Sequence, residues 1–141
     1  MSQSYKTIHE FQTLNVSYTD ITVTNITGAS TLTQLQSGNI ISLNSTSGCA
    51  VTLPSPTNGV VYQFLVNNTG AHTLTAPSAC INGTVTSAIA NTTANLSTGT
   101  AKTVISTTSG SSVGDAFTLI GANGKYFVKG NVSQNNALQF S

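Results

Sequence analysis

The stretch Val60-Val-Tyr-Gln-Phe-Leu-Val-Asn67 decides the fold class of this chain. Side chains alternate across a strand with period two, so Val60, Tyr62, Phe64 and Val66 share one face. Val61 and Leu65 share the other with Gln63 and Asn67. Apolar residues on both faces mark a central strand of a sandwich or barrel. Ahead of it, Pro54-Ser-Pro-Thr-Asn-Gly59 reads as a turn, because proline cannot donate to a strand ladder. Behind it, Asn68-Thr-Gly70 predicts a tight turn into a strand at His72 to Ala76, the two strands forming a hairpin.

The same alternation spreads in both directions. Asp20 to Asn25 reads as a half-buried strand with Ile21 and Val23 facing inward, followed by strands at Asn39 to Leu43 and Ala50 to Leu53. Asn82-Gly83 is a turn signal, with weaker strands at Thr84 to Ile89 and Thr92 to Leu96 and a clearer one at Lys102 to Ser106. A second hairpin joins Asp115 to Ile120 and Lys125 to Val132 through a turn at Gly121 to Gly124, and Ala137 to Phe140 adds a last strand. No segment keeps the 3.6-residue apolar period of a helix. The expected core is Ile21, Val23, Leu53, Tyr62, Phe64, Val66, Phe117, Leu119, Tyr126 and Val128. Strands about ten residues apart predict an all-β fold, an antiparallel β-sandwich or jelly-roll-like barrel. We assign residues 20–141 to this single domain and residues 1–19 to an extended N-terminal arm or a first strand.

Charge is the most unusual feature of the 141 residues. Only Lys6, Glu10, Asp20, Lys102, Asp115, Lys125 and Lys129 are formally charged, 5% of the chain, against about 25% in a typical soluble domain. With no arginine and four lysines, phosphate neutralisation has almost nothing to work with, so nucleic acid is not an expected partner. Abundant Val, Ile, Leu and Thr argue against a disordered chain. Near-zero net charge favours association, which points to an oligomer or lattice; a neutral monomer kept soluble by hydroxyls and amides is the simpler alternative. The polar N-terminus lacks the apolar stretch of a signal peptide, and no apolar run is long enough to span a bilayer, so synthesis in a cytoplasm and no membrane are expected.

Groups able to titrate or attack are few: His9, His72, Glu10, Asp20, Asp115, Cys49 and Cys80 besides the hydroxyls. No GxSxG elbow, zinc spacing or phosphate-binding loop is present, and Ser109 to Gly114 reads as a plain loop. The chain is expected not to be an enzyme and to use no cofactor or metal. Cys49 and Cys80 read as reduced thiols in a cytoplasmic product. Sequons at Asn15, Asn25, Asn44, Asn67, Asn82, Asn91, Asn95 and Asn131 follow from a composition rich in Asn, Ser and Thr. The first twenty residues carry three of the seven charges, and the arm supplies Tyr5, Ile8, Phe11 and Leu14 as candidate assembly residues. A glycan-binding module is the rival reading; without tryptophan, its stacking platform would come mainly from Tyr5 and Tyr18.

Two blocks carry a resemblance. The first, Ile41-Ser-Leu-Asn-Ser-Thr-Ser-Gly-Cys-Ala-Val-Thr-Leu-Pro-Ser-Pro-Thr-Asn-Gly-Val-Val-Tyr-Gln-Phe-Leu-Val, has a strand, a proline-glycine turn and a long apolar strand. The second, Gly114-Asp-Ala-Phe-Thr-Leu-Ile-Gly-Ala-Asn-Gly-Lys-Tyr-Phe-Val-Lys-Gly, is a terminal hairpin, and Ile81-Asn-Gly-Thr-Val between them is a strand start. Together they resemble the small β-sandwich domains of phage and large DNA virus structural proteins: capsid decoration or cement proteins, minor capsid proteins and tail-fibre modules. Tyr126-Phe127 stands where many such domains have a tryptophan, and the arm lies outside the likeness. The resemblance implies a virion location on the capsid surface, homo-oligomers that are often trimers, and contacts with a major capsid protein or other virion proteins. A tail-fibre or host glycan-binding module is the alternative it leaves open.

Overall fold

The period-two pattern forms eleven strands in a computed structural model that describes residues 21–88, 101–108, 111–134 and 136–141. They are β1 (Val23–Ile26), β2 (Ser30–Thr31), β3 (Ile40–Leu43), β4 (Ala50–Thr52), β5 (Val61–Val66), β6 (Thr73–Thr75), β7 (Ile81–Ser87), β8 (Val104–Thr107), β9 (Ala116–Ala122), β10 (Lys125–Val132) and β11 (Leu138–Phe140). A 3-10 turn, Gln34–Gln36, follows β2. No α-helix occurs among the described residues, and none of their helices could cross a membrane. The fold is all-β.

Two mixed sheets hold these strands, one ordered β1-β3-β5-β9-β10-β7 and the other β11-β8-β6-β4-β2. From β1 to β8 the chain alternates between them. The antiparallel expectation is therefore corrected: β1–β3, β3–β5, β2–β4, β4–β6 and β7–β10 pair parallel. The pairings β5–β9, β9–β10, β6–β8 and β8–β11 are antiparallel. Likewise β5 and β6 do not form a hairpin. The Asn68-Thr-Gly70 turn carries the chain from one sheet to the other, leaving β5 between β3 and β9.

The first six strands make three stacked coils. Their corners are bonded in series, Asn44 N–H to Ile26 O (2.8 Å) and Asn67 N–H to Leu43 O (3.0 Å) on one side. On the other side, Leu32 N–H donates to Thr52 O (2.9 Å) and Leu53 N–H to Thr75 O (2.8 Å). Close stacking needs a residue without a side chain at Gly70, where a Cβ would overlap the Ser45 carbonyl and lie 2.5 Å from Gly48 N. After the coils, β9 and β10 insert as a hairpin between β5 and β7. Its two-residue turn has Asn123 at φ 51 and Gly124 at φ 69, the positive values that match the twist of the strands it joins.

One cluster of buried side chains draws on both sheets. Leu53, Tyr62, Phe64, Val66, Phe117, Leu119, Tyr126 and Val128 are each at most 2% exposed. Phe64 stacks on Phe117 with ring centroids 5.1 Å apart. The Tyr62 and Tyr126 rings lie 6.4 Å apart, and their hydroxyls donate to Thr33 O and Pro54 O, both at 2.9 Å. Buried phenols thus have the partners they need.

Ile21 and Val23 do not belong to this core: they are 68% and 54% exposed. The strand there is β1, which starts three residues later than expected, ends one later and lies at a sheet edge, and its buried apolar residue is Ile26. Val23 pairs with Ile40, so it shares the outer face rather than the inner one. β7 starts at Ile81, three residues early, so Asn82-Gly83 lies inside a strand rather than in the expected turn, and β8 starts at Val104 while Lys102 only bridges to Ile81. The arm residues Tyr5, Ile8, Phe11 and Leu14 and the expected strand at Thr92 to Leu96 lie outside the described residues.

Candidate interaction surface

Alternation along β5 sends Val61, Gln63 and Leu65 away from the core, and the strand register extends that face across the six-stranded sheet. One row runs from Val23 through Ile40, Gln63 and Thr118 to Lys129. A second joins Val61, Ile120 and Phe127. Val61, Leu65, Ile40 and Ile120 are half-buried and Phe127 is 39% exposed. A soluble monomer normally presents polar side chains on the outside of a sheet; here Val23, Ile40, Val61, Leu65, Ile120 and Phe127 share that face with Gln63, Thr118, Lys125 and Lys129.

A depression of about 360 Å³ opens in this face, lined by Ile40, Gln63, Leu65, Ala116, Thr118, Gly130 and Asn131. It is shallow where β9 and β10 approach closely: a Cβ at Gly130 would overlap the Ala116 carbonyl and lie 2.6 Å from Phe117 Cα. Lys125 and Lys129 are exposed on β10 on either side of Phe127. They are two of the four formally charged described residues, the others being Lys102 and Asp115.

Of the titratable residues singled out in the sequence, His9, Glu10 and Asp20 lie outside the described residues, and Asp115 and His72 are held by structural hydrogen bonds. Asp115, 5% exposed, accepts hydrogen bonds from the backbone N–H groups of Ser112 (2.9 Å) and Ser133 (2.7 Å) and from the Ser133 hydroxyl (3.2 Å). Its carboxylate ties the loop before β9 to the end of β10. His72, fully buried, sits at the corner between β5 and β6 and bonds to Cys49 N–H and Asn68 O. Cys49 and Cys80 are free, buried thiols. Burial pushes the Cys49 thiol up, and a backbone hydrogen bond from Asn44 partly offsets this. Among the described residues, no group of three His, Cys, Asp or Glu side chains is placed to hold a metal ion.

Aromatic platforms fare similarly. Tyr62 and Tyr126 are fully buried, so neither can stack on a ligand, while Tyr5 and Tyr18 lie outside the described residues. The exposed ring on this face is Phe127. Sequence reasoning read Val61 and Leu65 as a second buried face. The missing signal was the register that lays Thr118 and Lys129 in one row with Gln63, between Val61 and Leu65, which makes that face a surface.

Comparison with protein-family models, with curated proteins and with solved structures returns no match.

Proposed function

We propose that this chain is a non-catalytic structural protein of a virus particle, a capsid decoration (cement) or minor capsid protein that packs on the shell through homo-oligomeric contacts, a trimer being favoured. In this reading the two sheets pack face to face as a sandwich around the shared core. The outer face of the six-stranded sheet meets neighbouring copies or the major capsid protein. The apolar character of that face is the observation that carries the reading: Val61, Ile120 and Phe127 in one cross-strand row, in a chain with only 5% charged residues. Surfaces with so little charge bind by shape, apolar contact and hydrogen bonds rather than by electrostatic steering.

Two measurements test it. Particles of the virus that carries the gene should contain the protein at a fixed ratio to the major capsid protein, quantified by mass spectrometry of purified virions; its absence from particles would end the proposal. The purified protein should be oligomeric at micromolar concentration, with a mass nearly unchanged between low and moderate salt. A strict monomer counts against homo-oligomeric packing, and binding to a glycan array with no virion association would favour the glycan-binding module instead.

A further inference from the structure

We infer that His72 is an acid-sensitive latch between the second and third coils: its neutral ring holds their corners together, and a second proton on the ring parts them. The device belongs to the fold and does not depend on the assembly reading above. The ring bridges two backbone groups whose roles are fixed. Cys49 N–H, at the corner before β4, can only donate, and it meets Nδ1 at 3.0 Å. The Asn68 carbonyl, at the corner after β5, can only accept, and it lies 2.7 Å from Nε2. One form fits both, the neutral ring with its proton on Nε2. An imidazolium carries a proton on each nitrogen, so its Nδ1–H would point at Cys49 N–H and the bond between the coils would be lost.

Nothing bonded at the corner offsets that charge. The ring is fully buried, and burying an unpaired charge costs far more than burying a satisfied neutral group. The corner before β4 presents the Cys49 thiol, whose hydrogen goes to Ile26 O. From β8 comes the Thr107 hydroxyl, which donates to Gly70 O. Asp115 lies at this end of β5, where its carbonyl accepts Val66 N–H (2.8 Å), but its carboxylate is taken up by Ser112 and Ser133. Lys102 is bridged to Ile81 ahead of β8, and Lys125 and Lys129 are exposed on β10.

The ring cannot swing clear while the corners are closed, because backbone lies directly on backbone beside it. A Cβ at Gly48 would overlap the Ala71 carbonyl, and one at Gly70 would lie 2.5 Å from Gly48 N. Taking up the proton and separating the corners are therefore one event. An imidazole in an unfolded chain takes up a proton below about pH 6.5, whereas the closed corner has no place for one. Below that pH the unfolded state holds more protons, so stability is complete above it and is lost as pH falls, the unfolding constant growing about tenfold per pH unit. Histidine is the side chain whose charge changes in this range.

Imidazole nitrogen chemical shifts and urea denaturation of the full-length protein, followed from about pH 7.5 to about pH 5, test this. The folded wild type should show His72 as the neutral ring with its proton on Nε2 throughout. Its unfolding constant should rise about thirtyfold over that range. His72→Gln can offer its amide oxygen to Cys49 N–H and its amide N–H to Asn68 O without titrating, so there the rise should shrink to less than about threefold. The control His9→Gln, at the one other histidine, should keep the full rise. A His72 ring that takes a second proton while the strands persist would overturn the proposal, a reading on the wild type that stands even where His72→Gln fails to fold. A rise that persists in His72→Gln, or that disappears in His9→Gln, would overturn it as well.

Discussion

The imidazole Nδ1 of His72 accepts the backbone N–H of Cys49 at 3.0 Å, linking the corner of one coil to the corner stacked beneath it. On the other side of the ring, Nε2 lies 2.7 Å from the Asn68 carbonyl, so the neutral ring with its proton on Nε2 satisfies both neighbours. The His72 backbone is held as well, its N–H donating to the Thr107 hydroxyl at 2.8 Å. That hydroxyl donates in turn to Gly70 O at 3.0 Å. Replacing His72 with alanine removes both ring bonds and strands Cys49 N–H away from water. An unsatisfied buried donor costs about 1–3 kcal/mol, and the vacated volume adds to that. We expect His72→Ala to lower unfolding free energy by about 2–4 kcal/mol, measured by urea denaturation. A loss below that of an ordinary surface substitution would show that the corner is not held by this ring.

How much of this was legible in the sequence depends on which question is asked of it. Alternation from Val60 to Val66 specified a strand and its buried face, because period two is a local property of the chain. Alternation is identical in parallel and antiparallel ladders, so it did not reveal that β3 lies parallel to β5. A second signal did carry that information. Asn44, Thr46, Thr52, Pro54 and Ser55 reappear as Asn67, Thr69, Thr75, Pro77 and Ser78, 23 positions later. The strands pair at that same offset, Ile40 beside Gln63 and Ala50 beside Thr73. Self-similarity at a fixed period is the mark of stacked coils, but in a chain dominated by Asn, Ser and Thr five shared positions are easily lost. Ile21 and Val23 failed differently: their alternation was read correctly and assigned to the wrong face, since nothing local distinguishes an inner row from an outer apolar one. The same ambiguity hid the candidate surface.

Alkaline pH should destabilise the fold through Tyr62 and Tyr126. Each hydroxyl donates to a backbone carbonyl and so must keep its proton. Burial raises the pKa of both, and for Tyr126 the nearby Tyr62 and Cys80 raise it further. In the unfolded chain both return to about 10. The unfolded state then releases its protons first, so these groups leave stability unchanged below about pH 10 and reduce it as pH climbs toward the folded values. Denaturation midpoints measured across that range should fall, and the phenolate absorbance of these two tyrosines should appear together with loss of strand structure. In a Tyr62→Phe variant the fall should be shallower, at a cost of about 0.5–1.5 kcal/mol at neutral pH for the lost bond to Thr33 O.

Cys49 and Cys80 are 2% and 4% exposed, and the Cys49 thiol donates to Ile26 O at 3.1 Å. Only a thiolate attacks a disulfide reagent, and burial holds Cys49 in its protonated form. Native labelling should therefore wait on opening of the structure, at a rate lower than in denaturant by a factor of about 10³ or more. Both cysteines should become reactive over the same denaturant range as the loss of strand signal. Rapid labelling of Cys80 alone would reveal an independent opening next to β7, where Ile81 N–H is bonded to Lys102 O at 2.8 Å.

Gly130 joins the core to the outer face, so one substitution there probes both. It pairs with Phe117 across β9 and β10, and an added Cβ would meet Phe117 Cα and Cβ at 2.6 Å as well as the Ala116 carbonyl. These are backbone-anchored atoms that cannot swing aside, so Gly130→Ala has to push the two strands apart. Phe117 then shifts against Phe64, whose ring stacks on it at 5.1 Å. Overpacking of this kind costs about 1–3 kcal/mol. The neighbouring Lys129→Ala changes an exposed side chain and should stay within about 0.5 kcal/mol. Comparing the two by denaturation separates close strand approach from a general sensitivity of β10. Because Gly130 also lines the outer depression, its variant should lose association in sedimentation at temperatures where the monomer is still folded, whereas a purely internal role for Gly130 would lower the melting temperature and leave the oligomer intact below it.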